Sequence, residues 1–457
     1  MPWVSMALRL ISIDRETPML MPPSIQEWVA EDDMARLVVD AVGMVGEHET
    51  RLNWRGSGSE QYPPSMMLAL LIYCYANGVF SSRKIEAATY RDVAVRYVAA
   101  DLHPDHDTIA AFRRENGALF RRFFVRVLAL AREMKVLRLG QVALDGTRVE
   151  AAAAKARTKD RAELCRGLAG MEAAVEALVA RAEQADRAEA GQPDGDRLPA
   201  QLAEARRRRE QLREALERLD ERCRRQAGER RRQRREFDRE GPGEPPRAKR
   251  AEAGCRETIN LTDPDARLLP QKKGGYAPSY NVQVAVQADT GAPLIVAAGV
   301  CDETNDRRQL APMAEEVMRN APQTEKLLAD SGYDNSGQIY RVEQRHGVIV
   351  YCPPERRAPG AAQKRASRAR QRTKEFRQAM EACLRSAFGR RSMRLRATTV
   401  EPVIGWIRHT LGFRRFHLRG KAKVGLEWDL VCLAFNLRLL HRIARVAAKP
   451  VAGLAAA

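Results

Sequence analysis

Cysteine is sparse in this chain. There are eight in 457 residues, Cys74, Cys165, Cys223, Cys255, Cys301, Cys352, Cys383 and Cys432, and no two have the spacing of a zinc or redox motif. That argues against a structural zinc site and points to a reducing, cytoplasmic setting. Acid is in deficit as well: 59 Asp and Glu stand against 78 Lys and Arg, leaving a formal charge of +19. A surplus of that size calls for a polyanionic partner, nucleic acid first. Long apolar runs are missing too. The richest, residues 424–440, contains Glu427, Asp429 and Arg438 and reads as a core helix, not a membrane span. Near the start, Arg9, Asp14, Arg15 and Glu16 break any apolar core, which argues against a signal peptide.

The hydrophobic share of 44% suffices for two or three domains with real cores. Residues 1–136 read as an all-α domain of short helices joined by tight turns. Pro18, Pro22 and Pro23 open it, Ser81-Ser82 caps one helix, and His103-Pro104-Asp105 turns the chain into another. Arg113, Arg114, Arg121 and Arg122 lie on or just after that helix. The pattern is helix-turn-helix-like and predicts DNA contact through these arginines.

From Gln141 the period changes. Strands are predicted at 141–149, 281–287, 293–300, 326–329 and 348–351, and helices at 307–318, 336–346 and 401–411. This β-β-β-α-β-α-β-α order is that of an RNase H-like domain, assigned to residues 137–445. The fold class is therefore mixed α/β with a large insertion. Residues 155–255 are Ala-, Leu-, Arg- and Glu-rich, and two long helices fit there, split near residues 191–195. The helical hairpin is the simplest reading; for residues 225–255 the alternative is a disordered basic tail, since Gly241-Pro242-Gly243 breaks any helix. Residues 446–457 read as a flexible tail. Basic candidates for phosphate contact are Arg230, Arg231 and Arg232 in the insertion, Lys272 and Lys273 after it, and Arg408 near the end.

Three carboxylates stand out by position. Asp145 follows the apolar run Val142-Ala143-Leu144, where an unused charge is costly. Asp330 ends a short strand. Glu401 begins the last predicted core helix, just before Pro402, and Arg408 follows two turns later, with Gly405 between them. Singly, each is also an ordinary turn or cap residue. Carboxylates gathered from separate elements are what two divalent ions need to promote phosphoryl transfer.

The chain resembles bacterial insertion-sequence transposases of the DDE class. The likeness lies in Ser81-Ser82-Arg83-Lys84-Ile85-Glu86, Pro104-Asp105-His106-Asp107-Thr108-Ile109, Asp145-Gly146-Thr147, residues 262–267, Tyr280-Asn281-Val282-Gln283, Ala329-Asp330-Ser331-Gly332-Tyr333, Val400-Glu401-Pro402-Val403-Ile404-Gly405 and Gly412-Phe413-Arg414-Arg415-Phe416. The resemblance implies a catalytic, metal-binding triad of Asp145, Asp330 and Glu401 and two Mg²⁺ ions, with Mn²⁺ as a substitute. It implies double-stranded DNA partners, namely terminal inverted repeats and target, and a homo-oligomeric synaptic complex. The chain departs from the pattern in two places. Ala151 to Ala154 replace an Asn- and Ser-containing run, and Ala397 takes a position where relatives carry Arg, with Arg394 and Arg396 nearby. The alternative is a catalytically silent DNA-binding protein derived from a transposase; loss of an acid would favour it, and none is lost.

Overall fold

The computed structural model describes residues 24–43, 61–138, 140–187, 198–239, 257–271, 274–289, 291–301, 303–355 and 368–448. Lys272, Lys273, the Gly- and Pro-rich breakers after residue 239 and the tail from 449 lie outside them.

Six helices open the chain: α1 (Met34–Gly43), α2 (Pro64–Ala76), α3 (Ser82–Arg91), α4 (Val93–Val98), α5 (His106–Glu115) and α6 (Gly117–Glu133). Asp92 and Asp105 cap α4 and α5 by accepting from the backbone of Val95 and Thr108. Such caps satisfy amides that the first helical turn leaves unpaired. Helix α2 is buried along nearly its whole length, so its apolar residues show no one-sided stripe.

The long strand β1 (Gln141–Glu150) follows. A short β2 (Thr158–Asp160) leads into α7 (Arg161–Arg187) and α8 (Leu198–Arg239), and β3 (Thr258–Asn260) pairs back with β2. The insertion is thus a long helical hairpin on a two-stranded stem, closed by a small apolar cluster of Leu164, Ala215, Leu219 and Ile259. Arg230, Arg231 and Arg232 lie on α8; their side chains are outside the described set. Cys223, also on α8, is disulfide-bonded. Six others among the described residues are free.

The main sheet adds β4 (Arg267–Pro270), β5 (Tyr276–Gln287), β6 (Ile295–Cys301), β7 (Lys326–Leu328) and β8 (Ile349–Tyr351). Helices α9 (Leu310–Asn320) and α10 (Ser336–His346) connect the last strands, and α11 (Arg368–Arg385), α12 (Ala387–Gly405) and α13 (Lys421–Ala448) follow. The order runs β4 and β6, then β5, β1, β7 and β8. Strand β1 is antiparallel to β5 and parallel to β7, so the sheet is mixed.

One expectation needs correction. Glu401 does not open a helix. Helix α12 begins at Ala387, where Ser386 accepts from the Gly389 amide at 3.0 Å, and Pro402 sits inside it. The proline resembled a first-turn residue, but a strong serine cap lies well upstream. A π turn, Trp406–Thr410, continues the helix. Arg121 and Arg122, expected on or just after the helix that ends near residue 116, lie just after it, on α6. Its apolar face, with Phe120, Phe124, Val127 and Leu128, is buried and packs on α13. One continuous core takes in residues of α1, α2, α6, the sheet and α13, so no break in packing marks residue 136. Among the described residues, no helix is long and apolar enough to cross a membrane.

Candidate active site

The parallel ladder of β1 and β7 pairs Ala143 with Leu328. Extending that register by two residues sets Asp330 beside Asp145. Alternation along β1 puts Asp145 and Thr147 on one face, and α12 with its π turn meets both. Arg408 Nη1 donates to Thr147 Oγ1 at 2.7 Å. Arg396 reaches all three candidate acids. Its Nη2 lies 3.1 Å from Asp145 Oδ1 and 3.8 Å from Asp330 Oδ2, and its Nη1 3.5 Å from Glu401 Oε1. Its Nε donates to the Leu144 carbonyl at 3.2 Å. Asp145, Asp330 and Glu401 therefore surround one guanidinium, on the rim of a cleft of about 640 Å³ that Arg148, Gly405 and Arg408 also line.

A fourth carboxylate, Asp306, lines the same cleft. Asn281 Nδ2 and Gln283 Nε2, two alternate residues of β5, donate to its Oδ1 at 2.7 and 2.6 Å. Glycines make room for it. A Cβ on Gly146 would come within 2.7 Å of Asp306 Oδ1, and one on Gly332 within 3.4 Å of Oδ2. Gly146, directly after Asp145, thus admits a close approach of Asp306 that a larger residue would block, while Gly332 would only touch it. Sequence reasoning passed over Asp306 because it sits in a loop with no periodic signal. It noted Arg396 only as a neighbour of a missing arginine.

Burial pushes the Asp145 carboxyl up to about 6, against the pull of Arg396, with Asp330 adding to the rise. Asp330 is raised as well, by burial first and partly offset by Arg396. Burial lowers Arg408 from its ordinary value, as does the charge of Arg414. These groups sit where desolvation competes with pairing. For Asp145 the folded value lies above the ordinary 3.8. Its contribution to stability is thus present below about pH 4 and is lost as pH rises through about 6. Asp145→Asn is therefore expected to stabilise the metal-free protein at pH 7 by about 2 kcal/mol. Thermal melts from pH 4 to 8 check this, and an unchanged or lower melting temperature at pH 7 contradicts it.

Carboxylate oxygens suit hard divalent ions, and the donor set is of that kind. A guanidinium already stands as a cation among them. As placed, no group of three or more His, Cys, Asp or Glu among the described residues is spaced to hold a metal ion. The donor set fits such a group in kind, and Arg396 lies between the three carboxylates.

The arginines expected to contact DNA fare unevenly. Arg113 is buried, 5% exposed. It donates through Nη1 to Tyr75 Oη and the Phe80 carbonyl, at 2.9 and 2.8 Å. It is a core residue, because α5 presents it to α2 and not to solvent, and the expectation that it reads DNA is withdrawn. Arg114 and Arg122 are exposed. Arg121 is exposed too and pairs with Asp429 and Glu316 at 3.4 and 3.6 Å.

Family comparison finds two matches. Residues 314–441 match a family described as "Transposase DDE domain", and residues 23–115 one described as "Transposase domain (DUF772)". The first segment holds Asp330, Arg396, Glu401 and Arg408; Asp145 and Asp306 lie between the two. Comparison with curated proteins gave no match, and neither did comparison with solved structures. The acids gathered at one cleft and the transposase-domain matches on either side of β1 together support an insertion-sequence DDE transposase.

Proposed function

We propose that the chain binds the ends of its own element, cleaves a strand to expose a 3′-hydroxyl, and joins that end to target DNA. The observation that carries this is the gathering of Asp145, Asp330 and Glu401 around one point from a strand, a strand end and a helix. The strand order, with β5, β1, β7 and β8 adjacent and β1 parallel to β7, supports an RNase H-like reading of residues 137–445. Residues 155–255 are then an insertion into that domain, and residues 1–136 an N-terminal unit packed against it.

Asp145, Asp330 and Glu401 would hold two Mg²⁺ ions, or Mn²⁺ in their place. When bound, such ions activate the attacking oxygen and stabilise the leaving one. The chain's own residues hold the reacting strand. Arg408, fixed on Thr147 at the cleft rim, is placed to take a phosphate, and Arg148 lines the same cleft. Gly405 has nothing within 4 Å of where a Cβ would stand, leaving that side open to a DNA strand. Exposed Arg114 and Arg122 are candidates for backbone contact by the N-terminal helices. Arg121, Arg230, Arg231, Arg232, Lys272 and Lys273 remain candidates on charge alone. Element ends are brought together by a homo-oligomer in this reading.

The test uses the full chain and duplexes carrying the DNA that flanks its gene. Nicks with 3′-hydroxyl ends at the repeat boundary are expected only with Mg²⁺ or Mn²⁺, followed by strand transfer into a plasmid. Folded protein that binds these ends yet never nicks them would leave the catalytically silent reading in its place.

A further inference from the structure

The proposed chemistry leaves Arg396 without a task, although it is the best-connected charge in the site. Its side chain is only 7% exposed and lies among three carboxylates at 3.1, 3.5 and 3.8 Å. The Nε bond to the Leu144 carbonyl ties it to β1, the strand that carries Asp145. Arginine keeps its charge at every accessible pH. Carboxylates brought this close repel one another, and a guanidinium among them removes that repulsion with no metal present. The same oxygens are those a divalent ion would take. A guanidinium and a divalent ion cannot both hold them closely, because two cations at such spacing repel.

We propose that Arg396 is the resident counter-cation of the metal-free site: it assembles Asp145, Asp330 and Glu401 and competes with the divalent ion for them. Metal then enters by displacing the terminal nitrogens of Arg396 from the carboxylates, while α12 and the strand stay in place. Arg396 is in this sense a positioning residue that acts through the triad. The inference rests on the metal-binding reading of that triad.

The test is Mn²⁺ binding to the full-length, DNA-free protein, followed by calorimetry. Arg396→Gln removes the competing charge and is expected to bind Mn²⁺ on the order of tenfold more tightly. Its metal-free melting temperature should fall, and its rise on adding Mn²⁺ should exceed that of the parent protein. A folded Arg396→Gln with unchanged or weaker Mn²⁺ affinity overturns the proposal, since a permanent clamp would give that sign. If Arg396→Gln does not fold without metal, Arg396→Lys decides. Its ammonium cannot span three carboxylates, so binding should tighten severalfold, and unchanged affinity overturns the proposal. Asp145→Asn separates the two levels of the argument. If it leaves Mn²⁺ binding intact, the metal-binding reading itself fails; if it abolishes binding while the Arg396 variants show no tightening, the competition alone fails.

Discussion

Asp145→Asn, Asp330→Asn and Glu401→Gln are each expected to reduce strand cleavage by on the order of 10³-fold or more, with end binding kept. Each substitution removes one ionised oxygen donor and preserves the side chain's shape. The three positions differ in exposure: the Asp145 side chain is 18% exposed, Asp330 41% and Glu401 60%. A fold defect is therefore least expected at Glu401, which makes Glu401→Gln the cleanest of the three. Single-turnover cleavage of pre-nicked and intact ends, with binding measured on the same DNA, gives the answer. Near-parental cleavage by any one variant removes that residue from the triad. Equal loss of binding and cleavage would instead assign it to DNA contact.

Arg113→Ala is expected to cost about 3–5 kcal/mol of folding stability, far beyond the effect of neutralising a surface arginine. The reason is a buried polar relay. Arg113 Nη1 donates to Tyr75 Oη, and Tyr75 Oη donates to Glu427 Oε1, both at 2.9 Å. Glu427 is wholly buried and also accepts from the His417 and Leu418 amides at 3.0 and 2.9 Å. Burial pushes the Glu427 carboxyl up, but the hydrogen bond from His417 and the charge of Arg113 more than offset it, so it sits below the ordinary value. Its contribution is present at neutral pH and is lost as pH falls through the carboxylate range. Without Arg113 the anion keeps its burial and loses a cation that holds its carboxyl down. Urea unfolding at pH 7 measures the loss. A cost below about 1 kcal/mol, coupled with weaker DNA binding, would return Arg113 to the surface role first expected of it.

What was legible in the sequence follows physical lines. Strands β1, β5, β6 and β8 were found within a few residues as apolar runs bounded by turn signals, and helix α10 by apolar residues at helical spacing. The hairpin was found because Ala, Leu, Arg and Glu recur at helical spacing on both sides of Gly191 and Gly195. The triad was found by position at strand ends and by likeness to a family. Glu401 was placed in the wrong part of its helix, since Pro402 is as compatible with a first turn as with a π-widened last one. Asp306 and Arg396 were out of reach for a different reason. Their significance lies in which groups they approach, and Asn281, Gln283, Leu144 and Asp145 are far away in the chain. Arg113 shows the same limit in reverse: a residue type that usually faces solvent is buried because Tyr75 and Glu427 await it from remote segments.

The position of α13 bears on how the molecule comes into being. This last helix packs against α2, α6 and β6 at once, with Trp428, Leu430, Val431, Leu433 and Leu437 essentially without solvent contact. Glu401 and α13 both leave the ribosome after the helices and strands they complete. Until they do, the faces of α2, α6 and β6 that α13 covers stay open, and the acidic cluster lacks one member. Neither the N-terminal helices nor the sheet is a finished body in a nascent chain, and a product stopped before Lys421 would be a chaperone or protease client, not a free DNA-binding fragment. The three-acid cluster is therefore assembled only after Glu401 has joined the earlier strands.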